Sequence, residues 1–248
     1  MIFTTTRLAL GYGSMLVHAV TRRDLLRDRD VRAALSRQIH VTGVQAVPYV
    51  ATVAALFGAV VVTRALELLG GTDTETVIKV VVWGAMRELG PLVAALIIVV
   101  RSSVAIAAEV ALMKLKSGID ARFWNDITHE EEVVLPRVLG AAVAGAALVS
   151  LFQFIAIASA LLASAMTLGT SFEFELDDFL TSANAWQVPL SIGKGALFGL
   201  GVGAISCYHG LQVQQAVGEL PKAVVAAGLG SLTFILLVDA IALVLFLQ

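Results

Sequence analysis

Five stretches of this chain are apolar over lengths that a soluble fold rarely accommodates: approximately 43 to 66, 76 to 113, 138 to 168, 189 to 208 and 223 to 247. A hydrocarbon core of about 30 Å takes roughly 20 helical residues, and lipid offers the backbone no hydrogen bonds. A spanning segment must therefore satisfy its own N–H and C=O groups, which an isolated stretch does only as a helix. Charged residues make up 15% of the chain, against about 25% in soluble domains. The sequence predicts an all-α integral membrane protein with five transmembrane helices. The stretch from 76 to 113 is too long for one ordinary span, and Gly90-Pro91 should bend it, giving either one long kinked helix or a re-entrant pair.

Before the first span, residues 7 to 37 carry seven arginines, while Leu8, Tyr12, Met15 and Ala19 recur at spacings of three and four. That pattern predicts an amphipathic helix lying at the membrane interface, within a cytoplasmic arm over 1–40. Residues 41–248 then form one five-span membrane domain. Lysine and arginine set orientation: the segment from Lys114 to Arg137 holds four, whereas 168–190 holds none and carries Glu173, Glu175, Asp177 and Asp178. The arm and the polar segment at about 115–132 are expected on the cytoplasmic side and the acidic loop outside. Five crossings then leave the C-terminus outside as well. The first ten residues lack the pattern of a secretory signal, so the first span is expected to direct insertion.

Several chemistries are excluded or disfavoured by spacing. The only Gly-Lys, Gly193-Lys194, is preceded by Val188 where a phosphate-binding loop needs glycine and followed by Gly195 where it needs Ser or Thr, so no nucleotide motor is encoded. The glycines around Gly199, Gly201 and Gly203 lie inside an apolar span and are no dinucleotide fingerprint; Gly195, Gly199 and Gly203 instead form a small-residue stripe suited to close helix packing. His18, His40, His129 and His209 show no ligand spacing, and no metal is assigned. Glu130, Glu131 and Glu132 read as a solvated charge run, and Cys207 as a small buried hydrophobe.

Charge inside the second stretch is the feature these readings leave over. An ionised side chain at the bilayer centre costs about 2.5 to 3.5 kcal/mol on insertion scales, yet Arg87, Glu88, Arg101 and Glu109 all fall within it. Glu88 and Arg101 are thirteen residues apart and Arg101 and Glu109 eight, so in a regular helix each pair shares an azimuth. A polar face of this kind either braces a bundle or lines a path, and the residues alone leave both open. One use of it is an ion-coupled secondary carrier with Glu88, Arg101 and Asp239 as a charge relay.

The sequence resembles the MlaE/YrbE permeases of ABC-type lipid transporters, which work with MCE-domain proteins. The resemblance rests on Arg87-Glu88-Leu89-Gly90-Pro91, Ala94-Ala95-Leu96, Arg101, Ala107-Ala108-Glu109 and Met113-Lys114 in order. Weaker similarity covers Arg37-Gln38-Ile39 with Gly43, Pro136-Arg137-Val138-Leu139 opening the third span, and Val217-Gly218, Ala223-Val224-Val225 and Asp239. Departures gather in the polar segment, where Ser117-Gly118 replace the usual Glu-Gln before Ile119-Asp120-Ala121, and at Glu219-Leu220-Pro221-Lys222. The resemblance implies a homodimer in a bacterial inner membrane, ABC ATPase subunits that bind ATP and Mg, a periplasmic MCE-domain assembly and phospholipid as cargo, with a small regulatory subunit as a further candidate partner. No cofactor is expected in this chain and no nucleic acid among its partners. On this reading Arg87, Glu88, Leu89, Pro91 and Leu92 lie beside the lipid path, and Arg101, Glu109, Lys114 and Asp239 form a bracing or coupling network. Lys116, Ile119, Asp120, Ala121 and Arg122 dock on the ATPase.

Overall fold

The computed structural model describes residues 28–68, 88–117, 127–173, 176–177, 187–213 and 217–246. The arm before residue 28, the stretch 69–87 with Arg87, the segment 118–126 with Ile119, Asp120, Ala121 and Arg122, and Glu175 and Asp178 lie outside the described residues. Among the described residues every regular element is helical: α1 (Arg29–Thr42), α2 (Val47–Leu68), α3 (Gly90–Ile98), α4 (Val104–Ser117), α5 (Ile127–Leu168), α6 (Gln187–Leu211) and α7 (Leu220–Phe246). Five candidate membrane spans result: Arg29–Leu68, Gly90–Leu115, Val133–Leu168, Val188–Leu211 and Leu220–Val244. The chain is a multi-pass membrane protein.

Local sequence explains the element ends. Asp28 caps α1 by accepting from the Asp30 N–H at 3.2 Å, relieving one orphan donor of the first turn. α5 stops at Leu168 because Gly169 takes φ +68°, the left-handed conformation that closes a helix and that side-chain-bearing residues resist. Pro136, expected to open the third span, lies inside α5, whose helix begins at Ile127. In lipid, stopping a helix exposes more backbone than the single N–H that proline lacks, and the Arg137 guanidinium donates to the Val133 carbonyl at 2.8 Å beside the break. Within the first span, α1 leads directly into α2 through a 3₁₀ turn at Val44–Ala46. Between α3 and α4 the helix widens to a π-helical segment at Val99–Ser103, an irregularity the sequence pattern does not announce.

The chain divides into two compact units: Met1–Gln45 with Ala95–Gly145 and Ala196–Gln248, and Ala46–Ala94 with Ala146–Gly195. α3, α5 and α6 each contribute residues to both. In the first unit, α7 packs along α4 and the π-helical segment, and α1 also reaches that segment. Its core joins Val31, Ile106, Val110, Leu135, Val138, Ala204 and Cys207, so the described part of the N-terminal arm buries one face against protein: Val31, Gln38 and Thr42 recur at seven and four. Gly199 lies against the backbone of Ala141 and Ala142, Gly203 against Val138, and Gly210 against Ala107 and Val110. Close backbone approach through small residues replaces the hydrophobic driving force that lipid removes. The second unit is built alike: Gly58 meets Ala156 and Ser159, Val62 and Leu66 pack on Ala160, and the Phe57 and Phe152 rings stand 5.9 Å apart.

The packing makes two glycines of α6 and α7 respond oppositely. A Cβ at Gly199 would run into Ala141 and Ala142 backbone, whereas at Gly228 it would meet nothing within 4 Å. Gly199→Ala should destabilise by about 1–3 kcal/mol, and Gly228→Ala should be neutral or stabilising by up to about 1 kcal/mol. Thermal melting of the detergent-purified protein checks this; equal shifts for the two would refute the seam.

Candidate functional site

The second unit holds an ion pair among apolar helices. Glu88 stands just ahead of α3, whose residues Gly90 to Ile98 carry no charge. Lys194 lies on α6 between Gly193 and Gly195 and is the only charged residue from 188 to 208. Its ammonium donates to Glu88 Oε2 at 3.0 Å, with the side chains 11% and 17% exposed. Two charges so far from water are tolerable where each offsets the other, and removal of either takes that compensation from the one that remains. Nearby on α6 and α5, the Gln153 amide donates to the Ser191 hydroxyl, satisfying a further polar pair within the same unit. Pro91 is buried and Leu89 and Leu92 are half-buried, so the expected path residues flank the pair with apolar surface.

Polar contacts of the first unit centre on the π-helical segment and α4. Arg101, in the middle of that segment, donates to the Gln45 backbone carbonyl and, at 3.0 Å, to the Gln45 side-chain oxygen. A π turn displaces one residue from the regular ladder, and here Arg101 meets the turn that precedes α2. Ser103 closes the segment, 2.9 Å from the Ser206 hydroxyl and 3.3 Å from that of Ser231. Ser206 also reaches the Val202 carbonyl at 2.6 Å. All three serines are buried, so this row of hydroxyls ties α6 and α7 to the π segment without a charge.

Farther along α4, Glu109 accepts from Arg137 of α5 at 3.4 Å. Lys114 donates to the carbonyl of Leu211, the last residue of α6, where the unsatisfied carbonyls of a helix C-terminus favour a cation. Arg101 and Glu109, expected in one network by their spacing, are thus held by different partners, Gln45 and Arg137. Asp239 is half-buried on α7. Lys116 falls in the last turn of α4, and its side chain lies outside what the structure describes.

Lys194 and Gln45 are given no site role by motif reading, and Arg137 enters it only within the run Pro136-Arg137-Val138-Leu139, without a partner. Lys194 carried the clearest signal, since a lone ammonium in an apolar span demands a carboxylate elsewhere. Gln45 carried none: its role depends on where the π turn aims Arg101.

The chain matches the sequence profile of the family described as Permease MlaE over residues 35–245. It is 28% identical over 217 residues to a probable ABC transporter permease of Rickettsia prowazekii, covering 86% of this chain and 82% of that protein. It is 25% identical over 209 residues to one of Synechocystis, covering 83% and 80%. A third similarity, 24% over 162 residues, is to the Arabidopsis thaliana chloroplastic protein trigalactosyldiacylglycerol 1, covering 65% of this chain and 46% of that protein.

Mutual dependence of Glu88 and Lys194 gives a measurable expectation. Lys194→Met and Glu88→Gln should each destabilise by about 3 kcal/mol, at the low end for broken buried pairs because both side chains retain some exposure. The double variant should recover much of that loss, because no uncompensated charge remains. Melting temperatures in detergent that fall additively would show that the two charges do not depend on each other.

Proposed function

The chain belongs to the MlaE permease family, and its named Rickettsia prowazekii and Synechocystis relatives are probable ABC transporter permeases; from that premise we propose that it moves phospholipid across or out of its membrane on energy from a separate ATPase. The observation that carries the lipid assignment is the Glu88–Lys194 pair. A phospholipid headgroup joins an anionic phosphate to polar or cationic groups, and a carboxylate beside an ammonium offers a complement to both ends of a zwitterion. Buried apolar residues beside the pair, with Pro91 among them, suit the acyl region. The name of the Arabidopsis relative contains a glycosylated diacylglycerol, which supports a glycerolipid cargo class.

The remainder of the machine follows from what this chain lacks. With no phosphate-binding loop at Gly193-Lys194, hydrolysis falls to ABC ATPase subunits that hold ATP and Mg. The polar segment around Lys116, Asp120 and Arg122 is the proposed contact with them, being the longest polar stretch between spans on the side assigned to the cytoplasm by positive charge. A second copy of the chain and a periplasmic MCE-domain assembly complete the proposed complex in a bacterial inner membrane, with the N-terminus cytoplasmic and the C-terminus periplasmic. An ion-coupled relay through Glu88, Arg101 and Asp239 is disfavoured by membership in an ATP-driven class.

Reconstitution tests the proposal. The chain and its co-purifying ATPase, placed in proteoliposomes with fluorescent phospholipid, should redistribute the lipid when Mg and ATP are supplied, and Glu88→Ala should slow this at least tenfold with the complex still assembled. Lipid movement that follows an ion gradient and ignores ATP would overturn it.

A further inference from the structure

In the first unit, α1, α4 and α5 border an open cavity of about 80 Å³ lined by Ala34, Arg37, Gln38, Val41, Glu109 and Arg137. That is room for two or three waters, enough for one phosphoryl group and too little for an acyl chain. Two guanidiniums and one carboxylate line it, leaving one net positive charge. Glu109 does not exhaust the arginines: its single contact with Arg137 is long, 3.4 Å, and its side chain is 46% exposed. The Arg137 Nε is buried without a hydrogen-bond partner among the described residues. Arg37 is exposed on α1. A guanidinium presents several donors in a fixed fork suited to phosphate oxygens, and the Arg137 Nη1 that donates to the Val133 carbonyl keeps a second N–H.

Position in the fold points to the source of such an acceptor. Arg137 stands four residues from the Val133 end of its apolar helix, and Glu109 six residues from the Leu115 end of its own. Arg29, Arg32 and Arg37 are exposed on α1, and a cluster of arginines beside apolar spans suits anionic lipid headgroups. We propose that this cavity binds the phosphodiester of a membrane phospholipid, with a net anionic headgroup preferred, its phosphate shared between Arg37 and Arg137 and its acyl chains outside. Exposed Val44, just past the end of α1, offers those chains apolar surface. Such a lipid clamps α1 to α4 and α5 and is separate from the cargo at Glu88 and Lys194.

Photolabelling in nanodiscs tests this with phosphatidylglycerol carrying a diazirine on its headgroup. Peptides covering Arg29–Thr42 and the Val133 end of α5 should be labelled, and Arg37→Gln should lower that labelling at least tenfold. Arg32→Gln, an exposed α1 arginine outside the cavity lining, should leave it unchanged, and both variants should keep the unmodified helical circular dichroism. A diacylglycerol probe with the same diazirine should not label these peptides, and millimolar inorganic phosphate should not compete. Unchanged labelling in Arg37→Gln, or equal labelling by diacylglycerol, would overturn the site; competition by inorganic phosphate would overturn its assignment to lipid. Transport activity is not the readout, so failure of the cargo proposal would leave this result intact.

Discussion

A lysine ammonium inside an apolar helix has no water to solvate it, and the placement of Lys194 is tolerable because Glu88 stands 3.0 Å away. The same constraint governs further polar groups near the spans among the described residues. Arg101 is answered by Gln45, Arg137 by Glu109 and the Val133 carbonyl, Lys114 by the end of α6, and Ser206 by Ser103 and Val202. Each of these contacts except the carbonyls of Val133 and Val202 joins residues from different helices. Polar satisfaction therefore fixes which helices neighbour one another, in a medium where apolar burial between helices contributes little selectivity.

Close packing supplies the complementary half of that specificity. α6 shows both principles on one helix: Lys194 is its charge for the second unit, while Gly199, Gly203 and Gly210 bring it against α4 and α5 in the first. Where its backbone approaches α5 at Ala141 and Ala142, no side chain larger than hydrogen fits. α7 contrasts with it. Val225, Leu229, Leu237, Ile241 and Val244 are more than half exposed, and only 17% of its most apolar window is buried within the chain.

The π-helical segment at Val99–Ser103 concentrates three contacts in five residues. Arg101 turns toward Gln45, and Ser103 toward Ser206 and Ser231. A regular helix over this stretch would rotate Arg101 relative to α4, since a wider turn changes the angular step per residue. That is the physical reason the eight-residue spacing to Glu109 does not by itself decide what the two charges touch: Arg101 meets Gln45, and Glu109 meets Arg137.

The five spans, the helical class and the family were legible in the sequence because bilayer thickness sets a minimum apolar length and because Arg87-Glu88-Leu89-Gly90-Pro91 is a specific run. The presence of charges that require partners was legible too, as the lone Lys194 shows. Their identities were not. Glu88 and Lys194 are separated by 106 residues, Lys114 and Leu211 by 97, and no local periodicity encodes contacts across such distances. The extension of α5 past Pro136, the π turn and the burial of Val31 on α1 were likewise decided by tertiary structure, because each depends on which neighbour occupies the space beside a helix. Local sequence sets whether a segment can span lipid, and packing alone sets what its polar groups touch.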